Sequence, residues 1–280
     1  MQPLQGQALE NFLDRLLAED IGSGDVTSNA VLSPEANLSA HMATRQPLVV
    51  AGLDLAEALF RKLDPAAAID LLVKDGDSAP SGAFLMHIAG NARSLLAGER
   101  AALNLVQHLS GIATLTRAYV EAIEGTGVVL LDTRKTIPLL RRLEKYATRL
   151  GGARNHRMGL YDAVLIKDNH IAAAGGVKAA VSAALAAVLE TGMTVEVECD
   201  TLEQAATAVE AGAGRLLLDN MGPSELKEAV RLYKGRAKLE ASGGVSLENI
   251  RQIAESGVDY ISVGRITQSA PAVDIGLDYA

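Results

Sequence analysis

The chain has 280 residues, 49% of them apolar, with 26 Lys and Arg against 34 Asp and Glu for a formal charge of −8. That length and composition suit one large domain or two modest ones with a buried core, and they exclude disorder. Three Phe, six Tyr and no Trp offer few stacking platforms, and an acidic surface opposes phosphate-backbone contact, so nucleic-acid binding is not expected.

Cys199 is the one cysteine, which excludes an intrachain disulfide and fits a reducing, cytoplasmic compartment. The opening "MQPLQGQALENFLDRLLAED" lacks a basic start followed by an apolar run, so no signal peptide is expected. No apolar stretch reaches membrane-spanning length, and no membrane partner is expected.

In chain order, Leu9, Phe12, Leu13, Leu16 and Leu17 recur at helical spacing and predict an amphipathic first helix. The polar loop "EDIGSGDVTS" ends it. Mixed strand signals follow over 37–51 and 69–73. "KDGDSAPSGAFLMHIAG" reads as a turn at Asp75 and Gly76 and then a strand, and a Leu- and Ala-rich helix is expected over 93–109. This first part of the chain is α+β.

From residue 128 a repeat sets in. "VVLLDT" (128–133), "DAVLIKD" (162–168), "TVEVEC" (194–199), "RLLLDN" (215–220), "KLEASGG" (238–244) and "YISVGRI" (260–266) are mostly apolar strand candidates that end in polar or glycine residues. Helical patterns over 139–150, 175–190, 201–212, 224–233 and 246–256 lie between most of them. Strands alternating with helices predict βα units and a parallel sheet. Lys167, Glu198, Asp219, Ser242 and Gly264 follow one another at intervals of 31, 21, 23 and 22 residues. That near-constant step is the pattern of a β/α barrel, whose site gathers at the C-terminal strand ends. Six strands are clear, the irregular "GGARNHR" is the candidate seventh, and eight would need more chain. An incomplete barrel is therefore expected, with a doubly wound open sheet as the alternative.

Positive charge is concentrated: residues 134–157 hold eight Lys or Arg and one acid, Glu144. On the helix expected over 139–150, Leu139, Leu140, Leu143, Ala147 and Leu150 form an apolar stripe. Arg141, Arg142, Lys145 and Arg149 fall largely off it and read as a solvated face. Arg134 and Lys135 instead follow a strand end directly. His156 and Arg157 follow a glycine pair in a segment without amphipathic period, and Lys167 lies late in an apolar strand, where a lysine must find a partner. Pairing with Glu198 and Asp219 accounts for only part of this charge, and an anionic ligand balances the rest. "SGG" (242–244) and "VGR" (263–265) follow the last two strands, the first placed directly before helix 246–256; such loops present N–H groups to phosphate. Glu198 and Asp219, on neighbouring strands, suit Mg²⁺ or ribose hydroxyls beside a phosphorylated ligand, with ordinary charge balance as the competing reading. One cysteine and five scattered His argue against zinc.

"DTRKTIP", "LEKYATRLGGARNHRMGLYDAVLIKDNHI", "VEVECDTLEQA", "LLLDNM" and "EASGGVSLENI", with "EDIGSGDVTS" and "LAGERAALNLVQHLSGIAT", together resemble the quinolinate phosphoribosyltransferase family, also called nicotinate-nucleotide pyrophosphorylase (carboxylating). The resemblance spans nearly the whole chain. It implies an N-terminal α/β sandwich domain over 1–111, an open, seven-stranded α/β barrel over 112–267, and a tail over 268–280 that packs back on the N-terminal domain. It also implies transfer of phosphoribosyl from phosphoribosyl pyrophosphate to quinolinate with decarboxylation, in NAD biosynthesis, with Mg²⁺ accompanying phosphoribosyl pyrophosphate.

Position by position, the resemblance makes Thr133, Arg134, Lys135, His156, Arg157 and Lys167 the group that receives quinolinate and phosphates, with Lys135, Lys167, Glu198 and Asp219 at the reacting centre. Glu198 and Asp219 match the acids near the ribose hydroxyls and magnesium. Ser242, Gly243, Gly244, Val263, Gly264 and Arg265 match the phosphate loops. Arg100, in "GERAALN", matches an arginine donated across a homodimer with shared active sites, a dimer that in some members assembles further into a hexamer. From its own surroundings Arg100 reads as a solvated helix residue, so its role rests on the resemblance.

Two stretches depart from the family pattern: "RKTIPLLR" carries Ile137 and Leu139 in place of smaller residues, and "ITQS" carries Gln268 where a histidine is usual. A paralogue associated with molybdenum uptake shares the fold, and the intact "NHR" and "IKDNHI" favour the quinolinate enzyme. A catalytically silent binder of phosphate or dicarboxylate is the competing class, and the acids Glu198 and Asp219 argue against it.

Overall fold

The computed structural model describes residues 4–279. In chain order its elements are α1 (Gln7–Ile21), α2 (Val26–Val31), β1 (Asn37–Thr44), β2 (Leu48–Val49), α3 (Leu53–Leu63), β3 (Ala68–Leu71), β4 (Ser78–Ala79), β5 (Phe84–Asn91), α4 (Ala92–Ala122), β6 (Val129–Leu131), α5 (Arg141–Gly151) and β7 (Val164–Ile166). They continue with α6 (Asp168–Ala174), α7 (Val177–Ala187), β8 (Val195–Cys199), α8 (Leu202–Glu210), β9 (Arg215–Asp219), α9 (Pro223–Tyr233), β10 (Lys238–Ser242), α10 (Ile250–Ala254), β11 (Tyr260–Ser262), α11 (Arg265–Gln268) and β12 (Ile275–Tyr279). Two compact units result: residues 1–117, 138–151 and 269–280 in the first, and 118–137 with 152–268 in the second. Among the described residues, no single helix is long and apolar enough to cross a membrane.

The first unit is a four-stranded antiparallel sheet in the order β12-β1-β5-β3, beside the small pair β2-β4. Its strands alternate in the usual period of two, so Ala40 and Met42 of β1 and Ile88 of β5 face a core shared with Leu13 of α1, Phe60 of α3 and Leu95 of α4. The predicted turn at Asp75 also caps a helix. Its carboxylate accepts the Gly52 and Leu53 N–H groups at 2.8 and 3.0 Å, satisfying free donors at the start of α3.

Two helices differ from expectation. The helix expected over 93–109 runs on to Ala122, through Gly111. That glycine is a close-packing position and not a stop, because a Cβ there would collide with the Pro271 carbonyl. α5, read from sequence as a barrel helix, belongs to the first unit. Leu143 and Ala147 pack with Leu105, Leu109 and Ile112, and a Cβ at Gly151 would lie 2.5 Å from Thr116. α5 also starts later than its stripe suggested. Leu139 takes a left-handed φ of 69° and is 91% exposed, whereas Lys145, expected on a solvated face, is 1% exposed.

The second unit is a six-stranded, all-parallel sheet in the order β6-β11-β10-β9-β8-β7, with β6 and β7 at its two edges, an open barrel. Its strands are apolar over most of their length, as sheets covered on both faces require: Val197, Leu216, Leu218, Leu239 and Ile261 are fully buried. The expected seventh strand is a correction. "GGARNHR" meets β6 at one parallel bridge, Leu131 with Arg154. The ladder stops there because the next donors are taken by side chains: His156 N–H goes to Asp132 Oδ1 at 2.8 Å and Arg157 N–H to His156 Nδ1 at 2.8 Å.

Candidate active site

All six strands of the barrel run the same way, so their C-terminal ends share one side. Each end delivers a polar group as the apolar run stops. β6 leads into Thr133, Arg134 and Lys135, and β7 into Lys167. Glu198 and Asp219 are the last or next-to-last residues of β8 and β9, Ser242 ends β10, and β11 leads into Val263, Gly264 and Arg265. These residues, with His156, Arg157, Gly243 and Gly244, line one cavity of about 580 Å³. Every candidate residue named from sequence lies there except Arg100, which is exposed on α4 in the first unit.

The cavity is cationic. Arg134, Lys135, Arg157, Lys167 and Arg265 line it against Glu198, Asp219 and Glu240. Lys167 Nζ is paired with Glu198 across neighbouring strands. Burial, and then the neighbouring Arg134 charge, hold the Arg157 guanidinium below its ordinary value. Two cations pressed together in this way are relieved by a bound anion.

Backbone geometry shapes the walls. Gly243 and Gly244 both take left-handed φ, 90° and 60°, and a Cβ at Gly243 would collide with the Asn220 side chain. Lys135 lies across Gly264, where a Cβ would sit 2.8 Å from its Cδ, and its carbonyl accepts Thr267 Oγ1 at 2.7 Å. One expectation about these loops is overturned. The helix after "SGG" begins only at Ile250, because the Asn249 side chain folds 244–249 into a turn, accepting Ser246 N–H at 2.8 Å and donating to Gly244 O at 3.0 Å. The glycines therefore present loop backbone to the cavity and not a helix end.

Sequence reasoning missed Leu165, Leu217, Glu240, Val245 and Ser262 on the cavity wall; Gln268, noted only as a departure, also lines it. Glu240 carried a usable signal, an acid inside the apolar run "KLEAS". It is fully buried, and burial together with neighbouring Glu196 pushes its carboxyl up to about 7. With Glu196 and His156 it forms the one group of three metal-ligating side chains among the described residues. Arg215 already pairs with both acids, so this group is an ion-pair network. Glu198 and Asp219 offer two hard carboxylates at the cavity and no third protein ligand beside them among the described residues. Such a pair fits Mg²⁺, which takes one or two carboxylates plus substrate phosphates.

Known proteins match the chain over nearly its whole length. The family model "Quinolinate phosphoribosyl transferase, C-terminal domain" matches residues 112–278, and the corresponding N-terminal domain model matches 25–110. The chain is 41% identical to a probable nicotinate-nucleotide pyrophosphorylase [carboxylating] of Bacillus subtilis, covering 96% of this chain and 93% of that one. It is 43% identical to the protein of the same name from Synechocystis, covering 96% and 92%. Among solved structures, the nicotinate-nucleotide pyrophosphorylase from Francisella tularensis superposes with a TM-score of 0.92 at 40% identity, over 97% of this chain and 96% of that one.

Proposed function

The chain belongs to the quinolinate phosphoribosyltransferase family, and we propose that it transfers phosphoribosyl from phosphoribosyl pyrophosphate to quinolinate, releasing pyrophosphate and CO2 and leaving nicotinate mononucleotide for NAD biosynthesis. The observation that carries this reading is the surplus of cations over acids in one cavity at the strand ends. Quinolinate brings two carboxylates and phosphoribosyl pyrophosphate several anionic oxygens.

Arg134 and Arg157 offer planar forks to the carboxylates, and Lys135 and Lys167 offer point charges. The loops at Gly243–Gly244 and 263–265 offer backbone donors and Arg265 to phosphate. Glu198 and Asp219 serve the ribose hydroxyls and hold Mg²⁺, which supplies charge neutralisation on pyrophosphate. The ring nitrogen bonds to the anomeric carbon while the bond to pyrophosphate oxygen breaks with its electron pair. The quaternised nitrogen then acts as an electron sink. The C2–carboxylate bond breaks, CO2 leaves, and C2 keeps the electron pair and takes a proton from water. No covalent nucleophile is needed; orientation and field do the work.

The enzyme acts in the cytoplasm, in keeping with its single, buried, free thiol. It works as a homodimer in which each site receives Arg100 of the other subunit. Incubation with quinolinate, phosphoribosyl pyrophosphate and Mg²⁺ tests the activity. Nicotinate mononucleotide and CO2 in equal amounts are expected, and formation of neither overturns it.

A further inference from the structure

Beneath the cavity, four polar side chains interrupt the barrel's apolar floor. Glu196 on β8 sits in register with Arg215 on β9, and Glu240 on β10 with Tyr260 on β11. Arg215 Nε lies 2.8 Å from Glu196 Oε1, its Nη2 pairs with Glu240, and its guanidinium stacks 4.4 Å above the Tyr260 ring. Both acids are buried, and a buried ion pair is weak evidence for stability alone.

The network ends on His156, whose Nε2 is 3.0 Å from Glu196 Oε2 and 3.8 Å from Glu240 Oε2. The other ring nitrogen settles the tautomer. Nδ1 accepts the Arg157 N–H at 2.8 Å, so it carries no proton. That geometry leaves Nε2 as the ring donor to Glu196. An imidazolium would turn an N–H toward the Arg157 N–H and break that bond. The pair His156–Arg157 is also fixed from its other sides: Asp132 Oδ1 accepts His156 N–H at 2.8 Å, and Arg157 Nη1 donates to Ala163 O at 3.2 Å.

We propose that Glu196, backed by Arg215 and Glu240, is a positioning residue for quinolinate recognition. It locks His156 as the neutral Nε2–H tautomer and through that ring holds the Arg157 backbone, so that the guanidinium meets a substrate carboxylate. His156 then acts as a strut and not as one of the cations of the cavity. This inference rests on the proposed activity, and its test separates the two.

The first measurement is the ¹⁵N spectrum of histidine-labelled wild-type protein, with His156 assigned by its absence from a His156→Asn spectrum. A pyridine-like Nδ1 and a pyrrole-like Nε2 are expected; two pyrrole-like nitrogens, an imidazolium, overturn the proposal. The second is steady-state kinetics of Glu196→Leu and Glu196→Gln. Loss of the acceptor in Glu196→Leu is expected to raise the quinolinate KM roughly ten- to a hundredfold, with the phosphoribosyl pyrophosphate KM unchanged. Glu196→Gln keeps an acceptor and should recover all but about threefold of that loss. A fall in kcat with both KM values unchanged marks a merely structural role and overturns the proposal. Should Glu196→Leu not fold, the wild-type tautomer and Glu196→Gln still decide. Wild-type protein that forms no nicotinate mononucleotide defeats the proposed activity, a result independent of the tautomer.

Discussion

Lys167 Nζ and the Glu198 carboxylate form an ion pair across the neighbouring strands β7 and β8, with Lys167 nearly half exposed at the cavity and Glu198 mostly buried. An anionic substrate that recruits Lys167 competes with Glu198 for the same ammonium group. Lys167→Ala should therefore weaken quinolinate binding by about ten- to a hundredfold, the worth of a charge-assisted hydrogen bond. Glu198→Gln frees the lysine, so quinolinate should bind as tightly or more tightly, while kcat should fall with the loss of the acid proposed for the ribose hydroxyls and Mg²⁺. Calorimetric titration of quinolinate into each variant checks this, and equal weakening in both would refute the competition.

Arg157 is held below its ordinary value by burial and by Arg134 beside it, so the folded protein bears a repulsion that unfolding relieves. Removing one cation should trade binding for stability. Arg134→Ala should lose quinolinate affinity by roughly tenfold or more, with an unchanged or raised melting temperature. Arg157→Ala should lose affinity similarly. Scanning calorimetry with and without quinolinate reads both quantities at once. A lowered melting temperature in Arg134→Ala, with affinity intact, would place that residue in the scaffold and not in the site.

Arg142 and Lys145 are alike in sequence pattern and opposite in structure. Arg142 is exposed on α5, so Arg142→Ala should change stability and activity little, within about 0.5 kcal/mol. Lys145 is 1% exposed beside fully buried Glu144, so Lys145→Ala leaves a cavity and disturbs a buried charge. A loss of about 2–4 kcal/mol is expected. Urea denaturation of the pair measures the contrast, and equal midpoints would contradict it.

The barrel was legible because its strands are buried on both faces, so each reads as a short apolar run, and because each run ends in a polar residue at the cavity. Lys167, Glu198, Asp219, Ser242 and Gly264 stand out as strand ends at a near-constant step, and all five line it. α5 was misread because a periodicity argument presumes one solvated face. Here Glu144, Lys145, Tyr146 and Thr148 are buried along with the apolar Leu143 and Ala147, and Glu144 accepts a hydrogen bond from His108 Nε2 at 3.0 Å. Arg142 and Arg149 are exposed as expected, and local pattern cannot show that the rest of a charged face, here Glu144 and Lys145, is covered. The network under His156 was invisible for a similar reason. Glu196, Arg215 and Glu240 are separated by 19 and 25 residues, and only strand register brings them together.

Cys199 is fully buried, and burial with the neighbouring Asp200 and Glu198 pushes its thiol up to about 12. A native thiol at that value is almost wholly protonated at pH 8, so thiol reagents should label the protein only after unfolding. The sign of the linkage follows. The unfolded thiol ionises near its ordinary value of about 8.5 while the folded one keeps its proton, so ionisation favours the unfolded chain as pH rises from there toward about 12. Stability should fall by roughly 2 kcal/mol from this source by pH 10. Cys199→Ala should show a shallower decline between pH 8 and about 10 in denaturant titrations. Parallel pH profiles for the two proteins would remove the thiol as the cause.

Arg100 decides the shared-site reading. It is exposed on α4, and the cavity at the strand ends is lined without it. Within one chain it has no evident role, whereas in a dimer with shared sites it meets a carboxylate of quinolinate bound in the partner. Arg100→Ala homodimers should then be nearly inactive, because a desolvated carboxylate loses a charge-assisted partner worth about 1.5–3 kcal/mol. Lys135→Ala, which damages the cavity's own cations, should be impaired as well. Mixing the two variants discriminates. In a heterodimer with shared sites, one site carries both defects and the other carries neither, so activity should return to as much as half per dimer. If Arg100 serves its own chain, each site carries one defect and mixing restores nothing. Activity measured on heterodimers confirmed by mass gives the answer, and no recovery there would sink the donated arginine.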